Sequence, residues 1–262
     1  MKICAIIDES LPGRPVLGYL FCYQNRQSFS IEISREIPEQ ELPLFLASFV
    51  KKEMYSVSME WSLRWVQARI IPTDRQNLGS ILKNNGLKEY DEYRLLMIAQ
   101  GRCAQDDCCV MPVETGDLPS WVHERLGKRV KRAVLQQKKR LLVSFEDSSV
   151  RLIPLKELAD GSRLITDNDI QIQPGGCGIS LFGNRNIASA DLYKKGELLP
   201  LKDEDLLKLS DRVLIDTNEV CALLDCSRQQ VDYLIHQGRL HPVRSSGRMR
   251  LYDRSEVQRL GW

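Results

Sequence analysis

LIDTNEVCALLDCSRQQVDYLIHQGRLHPVRSSGRMRLYDRSEVQRLGW, residues Leu214 to Trp262, is the stretch whose reading decides the fold. Asp216 or Thr217 can cap a first helix, whose apolar positions are Val220, Leu223 and Leu224. Asp225-Cys226 reads as a tight turn. Ser227 stands where a helix cap belongs, because its hydroxyl can accept from an unpaired backbone N–H. Val231, Leu234 and Ile235 fall at i, i+3 and i+4, so the second helix buries one face. Gly238 stands just past its end, the usual place for a left-handed closing residue. That leaves Arg228, Gln229, Gln230 and Tyr233 on the start and outer face of this helix.

Two short strands are expected next, His241 to Arg244 and Met249 to Tyr252, joined by Ser245-Ser246-Gly247-Arg248. Asp253 and Glu256 form a D-x-x-E capping pattern, and Val257 and Leu260 give a last apolar helical face. The order helix, turn, helix, hairpin, helix predicts a winged helix-turn-helix over 214–262. Its physics suits double-stranded DNA. A helix start offers polar side chains to base edges in the major groove, and a basic wing reaches neighbouring phosphate. Between Ser227 and Tyr252 stand five Arg and one Asp. The candidate DNA contacts are Ser227, Arg228, Gln229, Gln230, Tyr233, Arg239, Arg244, Ser246, Arg248 and Arg250.

The segment resembles the winged helix-turn-helix of the MerR and excisionase families. The matching residues are Thr217-x-Glu219-x-x-x-Leu223-Leu224, Cys226-Ser227-Arg228-Gln229, Gly238-Arg239-Leu240, Pro242 and Gly247-x-x-Arg250. MerR proteins continue into a long dimerising helix, whereas this sequence stops at Trp262. The excisionase-like comparison is therefore the better one, and dimerisation through this end is not expected. The same small domain could instead dock on protein.

At 262 residues the chain exceeds one typical domain. Its 43% hydrophobic and 27% charged residues are those of an ordinary soluble protein, and the net charge of +2 leaves any DNA affinity to local patches. No apolar run approaches the roughly 18 residues that span a bilayer. The start, Met1 to Ser10, has an apolar patch broken by acid, so it reads as a first strand and not as a signal peptide. A cytoplasmic protein is expected. The eight cysteines are then reduced thiols. Cys103-x4-Cys108-Cys109 with His123 fits no regular zinc spacing, so neither metal nor cofactor is expected.

Residues 1–118 read as an α+β domain. Strands are expected at Pro15 to Tyr23 and Ser28 to Ile33 with a turn between them. Helices are expected over Pro38 to Lys51, Ser58 to Ile71, from an Asp74 cap through Leu82, and Glu92 to Ala99. With the Val16-x-Gly18-x-Leu20 strand, the run from Pro72 through Tyr90-Asp91-Glu92 to Gly101-Arg102-Cys103 is similar to the N-terminal subdomain of HipA-type toxin kinases. No phosphate-binding glycine loop or Asp-x-x-x-x-Asn accompanies it. The likeness implies a fold and a partner-binding surface without the activity. No Ser-His-Asp or Cys-His set can be argued, so no enzyme is expected.

Pro112 to Pro119 is a linker candidate. From Pro119 to Arg140 eight Lys or Arg face one Glu. The run is either a solvated basic strand edge or a second phosphate-facing patch. Residues 127–200 form a β-rich unit with strands near Arg129 to Leu135, Arg140 to Phe145, Val150 to Pro154, Ile170 to Ile172 and Gly175 to Leu181. Leu141-Leu142-Val143-x-Phe145-Glu146-Asp147, Pro154-Leu155, the Gly-Gly-x-Gly-Ile run and Asp191-Leu192-Tyr193 resemble a small uncharacterised bacterial domain. Gly175-Gly176 reads as a turn. A charged hinge helix is expected over 201–213.

The sequence thus predicts an α+β, multidomain chain, with two small α+β units, 1–118 and 127–200, followed by a winged helix-turn-helix. The leading expectation is a bacterial DNA-binding transcriptional regulator, with homodimer or protein contacts falling to the N-terminal and middle domains. The alternative is a non-enzymatic adaptor or antitoxin-like accessory protein.

Overall fold

Lys2–Asp8 (β1) shows why the first unit is a sheet covered on both faces. Cys4 and Ile6 point to one core, while Ile3 and Ala5 point to the other, as the two-residue period of a strand requires. In the computed structural model, which describes residues 1–23, 28–136, 140–158, 166, 169–206, 213–247 and 249–260, β1 is flanked by two antiparallel neighbours. The expected turn over 24–27, most of the hinge helix and Arg248 lie outside the described residues. The order of this five-stranded sheet is β4-β3-β2-β1-β5, where β2 is Val16–Tyr23, β3 Ser28–Ile33, β4 Ser56–Val57 and β5 Cys108–Pro112.

Leu44–Val50 (α1), Met59–Gln67 (α2) and Glu92–Ile98 (α4) cover one face, through Leu46, Trp65, Val66 and Leu96. Leu78–Asn84 (α3) lies between α2 and α4 in the chain. Helix α1 begins at Leu44, later than the Pro38 expected, because Pro43 disfavours helix in the residue before it. Leu44 is 88% exposed and is not a core residue. The start of α3 also moves, from the expected cap Asp74 to Asn77.

The other face is covered by Ser120–Gly127 (α5), a helix hidden within the basic run. Val122 and Leu118 pack there on Ile3, Tyr19 and Phe21. The stretch offered as a linker therefore carries packed side chains, Val113 and Leu118 among them. Val130–Gln136 (β6), Arg140–Phe145 (β7) and Ser149–Pro154 (β8) follow as neighbours, close to the expected strands. Ile170–Ile172 (β9), Gly178–Leu181 (β10) and Arg185–Ala188 (β11) make a three-stranded antiparallel sheet, closed by Ser189–Lys195 (α6). One core joins them, built on Val130, Val143, Phe145, Ile153, Ile179 and Leu192.

By its contacts the chain divides into two units. The first takes Met1–Asp147 and Arg151–Glu197, and the second takes Ser148–Val150 and Leu198–Trp262. Within the first, residues from both expected domains share buried polar contacts. Arg129 is 4% exposed and donates to Tyr23 Oη, to Ser30 Oγ and to Glu32 Oε1. Arg125 donates to Glu32 Oε2 at 3.3 Å and to the Ile33 carbonyl at 2.8 Å. Burial pulls the Arg125 pKa down, against the pull of Glu32. Two cations of the basic run thus turn inward, Arg129 buried and Arg125 half-buried, and neither serves a wet strand edge or a phosphate.

Leu198, where the longer part of the second unit starts, lies in Glu197–Lys202 (β12), a strand where the hinge helix was expected to start. The unit ends in Leu214–Asp216 (β13), Thr217–Leu224 (α7), Arg228–His236 (α8), Arg244–Ser246 (β14), Met249–Asp253 (β15) and Arg254–Leu260 (α9). The whole is α+β with a C-terminal helix-turn-helix.

Candidate nucleic-acid interface

Both helices of the pair start with reciprocal caps. Asp216 Oδ1 accepts from the Glu219 N–H at 2.8 Å, and Glu219 Oε2 accepts from the Asp216 N–H at 3.0 Å. Asp225 ends α7 in the left-handed region, at φ 47°. Two residues on, Ser227 Oγ accepts from the Gln230 N–H at 3.3 Å, while the Gln230 side chain accepts from the Ser227 N–H at 2.7 Å. The Gln230 side-chain oxygen is therefore occupied in the cap, a role not expected of this residue. Helix α8 closes through Gly238, whose N–H donates to the Ile235 carbonyl, and Arg239, whose N–H donates to that of Leu234.

Val220 and Val231 share a core with Ile215, Leu240, Tyr252 and Val257, all fully buried. This core fixes α8 by one side and leaves the other wet. Arg228, Gln229 and Tyr233 are exposed there, Tyr233 to 61%. Leu223, expected on the buried face, is 41% exposed, and Cys221 packs against the core instead.

Ile215 belongs to β13, a strand that the sequence reading missed. The sheet order is β13-β15-β14, with Ile215 opposite Tyr252. Ser245 pairs with Arg250 and Ser246 with Met249, so the strand pairing reaches further toward the tip than the four-residue connection expected. Gly247 has φ 58°, the sign that two-residue hairpin turns need to match strand twist. Arg244 and Ser246 are exposed on β14. Asp253 caps α9 through the Ser255 and Glu256 N–H groups. The Glu256 carboxylate accepts from the His241 N–H at 3.3 Å.

The structure brings Arg228 and Arg250 to one cleft of about 550 Å³, together with Asp216, Asn218, Asp232 and Met249. Arg228 Nη2 donates to Asn218 Oδ1 at 2.6 Å, and Arg250 Nη1 to Asp232 Oδ1 at 2.5 Å. The Asp232 carboxylate raises the Arg250 pKa further above its ordinary value. Arg239 is exposed beyond the far end of α8, away from the Ser227 cap. Asn218 and Asp232 were not expected to take part. Their only sequence signal is position, near the start of α7 and one turn past Arg228.

Asp106-Cys108 and Gly175-Gly176 make packing and ion-pair contacts. Asp106 pairs with the buried Arg69 and accepts from the Cys108 N–H at 3.1 Å. Burial pushes the Cys108 thiol up to about 12, which disfavours the thiolate a metal would need. Metal analysis of the purified chain is expected to return no stoichiometric zinc. Zinc lost on Cys103→Ser or Cys108→Ser would contradict this. A Cβ at Gly175 would run into the Tyr23 ring, and one at Gly176 into the Val130 carbonyl, so these glycines serve close packing.

Residues 214–260 match the family of the helix-turn-helix domain. No curated protein and no solved structure matches the chain. The likenesses drawn above for 1–118 and 127–200 gain no support from these comparisons. Among the described residues, no helix is long and apolar enough to cross a membrane.

Proposed function

We propose that this chain is a sequence-specific double-stranded-DNA-binding protein, a cytoplasmic transcriptional regulator, acting through a C-terminal excisionase-like winged helix-turn-helix. The carrying observation is the capped helix α8, which holds exposed Arg228, Gln229 and Tyr233 beside a hairpin with exposed Arg244 and Ser246. In this reading α8 enters the major groove and the hairpin is the wing. The reading gives the chain no catalytic role, cofactor or metal. A single module of this kind buries little surface on DNA, so a second copy or a protein partner is assigned to the upstream residues.

The two kinds of contact should fail differently. Arg228→Ala is expected to lose about 1–3 kcal/mol of preference between sequences while keeping nonspecific binding. Arg244→Ala should weaken all sequences alike and flatten the salt dependence by about one unit. Titrations on a selected duplex and a mixed-sequence duplex over a salt series check both. If neither substitution changes binding to any DNA, the regulator reading fails.

The adaptor reading stands second, and one observation favours it. Leu44 is 88%, Met54 44% and Trp61 43% exposed, on or beside α1 and α2. Phe45 and Phe49 meet at a tilt there, 5.3 Å apart, and Phe49 and Trp61 meet edge to face at 6.2 Å. A non-enzymatic accessory protein would use such a surface, and its binding would not fall steeply with salt.

A further inference from the structure

Asp232 is the single acid among residues 227–252. It stands four residues past Arg228, the spacing at which helix side chains of opposite charge pair. Yet Arg228 is bonded to Asn218, and Asp232 instead holds Arg250 of β15. The pair ties the second turn of α8 to the hairpin. It is wet, with Arg250 41% and Asp232 56% exposed, so it contributes little to stability. Its effect is on where the Arg250 guanidinium points.

That placement distinguishes two ligands. At a DNA phosphate, the Asp232 carboxylate would be a second anion beside the first, and the two repel. At a guanine the conflict disappears, because O6 and N7 are neutral acceptors. A carboxylate on one terminal nitrogen still leaves the fork an edge with two parallel donors, which suits bidentate pairing. Resting on the DNA-binding reading above, we propose that Arg250, positioned by Asp232, reads a guanine of the target duplex and does not neutralise a phosphate. Asp232 is then a positioning residue on the recognition helix, and base readout is shared between that helix and the hairpin.

The test uses the full chain and a duplex that it selects from a randomised pool. Copies of that duplex with each base pair changed in turn, and a mixed-sequence duplex, complete the set. Lysine keeps the charge of Arg250 and lacks its fork. Arg250→Lys is therefore expected to lose about tenfold of preference at one G·C pair. Arg250→Ala should lose the same preference with the salt slope on mixed-sequence DNA unchanged. Asp232→Asn should relax preference at that same pair several-fold, with mixed-sequence binding within about twofold of wild type. The inference is overturned if Arg250→Lys keeps the full preference profile, or if Arg250→Ala flattens the slope by about one unit. It is also overturned if Asp232→Asn tightens selected and mixed duplexes alike, the mark of a phosphate contact freed from a competing anion. A wild-type chain that binds no duplex would instead sink the DNA-binding reading itself, and this inference with it.

Discussion

Glu32→Ala is expected to unfold the first unit at temperatures where the wild-type chain is intact, with a loss of about 3–5 kcal/mol. Glu32 is 6% exposed on the central sheet. Its carboxylate accepts from Ser56 Oγ at 2.6 Å, from Arg125 at 3.3 Å and from Arg129 at 3.4 Å. Removing it leaves two arginines, both largely buried, without their anion. Arg125 keeps the Ile33 and Tyr55 carbonyls, and Arg129 keeps Tyr23 and Ser30, but these partners are neutral. A buried cation without a counter-charge costs far more than the pair contributed. Glu32→Gln should lie between, because it retains acceptor oxygen and loses charge. Glu60→Ala is the control. Its pair with Arg64 is exposed, 57% and 68%, and should be worth less than about 1 kcal/mol. Urea unfolding followed by circular dichroism measures all three. A loss below about 1 kcal/mol for Glu32→Ala would show that the network does not hold α5 to the sheet.

That network also shows where sequence reading runs out. Strands β1 to β3 and β6 to β8 were legible because alternation and β-branched runs are local signals. Strands β4, β5, β12 and β13 were not. Each takes its place from a partner elsewhere in the chain, as β5 does from β1 about a hundred residues away. Cys108 and Cys109 fit no zinc spacing, and the strand they form, β5, has no local signal to announce it. Helix α5 was masked by charge, since nothing in the sequence tells that Arg125 and Arg129 turn inward to an acid in β3. In the C-terminal unit the caps were legible because a cap is a bond to a residue three positions on. The same local rule would have placed Gln230 in the cap, since Ser-x-x-Gln is itself a capping box. The bond from Asp232 to Arg250 was out of reach, because it exists only once β15 has folded against α8.

Leu240→Ala is expected to unfold the C-terminal helix-turn-helix and to abolish binding to every duplex, selected or mixed. Leu240 is fully buried. It follows the residues that close α8, and its own N–H donates to the Leu234 carbonyl at 3.3 Å. Its side chain shares one small core with Ile215, Val220, Val231, Tyr252 and Val257. Truncating a buried leucine costs about 2–5 kcal/mol, most where the neighbours cannot collapse into the space. Here they come from a strand, three helices and a hairpin pinned by caps and a sheet, so collapse is restricted. At about 0.05–0.15 kcal/mol per residue, a segment of this length is stable by only a few kcal/mol. One truncation is therefore comparable with the whole stability of the segment. Leu223→Ala, on an exposed leucine of the neighbouring helix, should shift stability by no more than about 0.5 kcal/mol and leave DNA binding as it was. Thermal unfolding and duplex titration of both variants make the comparison. In Leu240→Ala the strand signal of the first unit should persist while the helix-turn-helix melts. A Leu240→Ala chain that binds the selected duplex as tightly as wild type would show that this core does not hold the recognition helix in place.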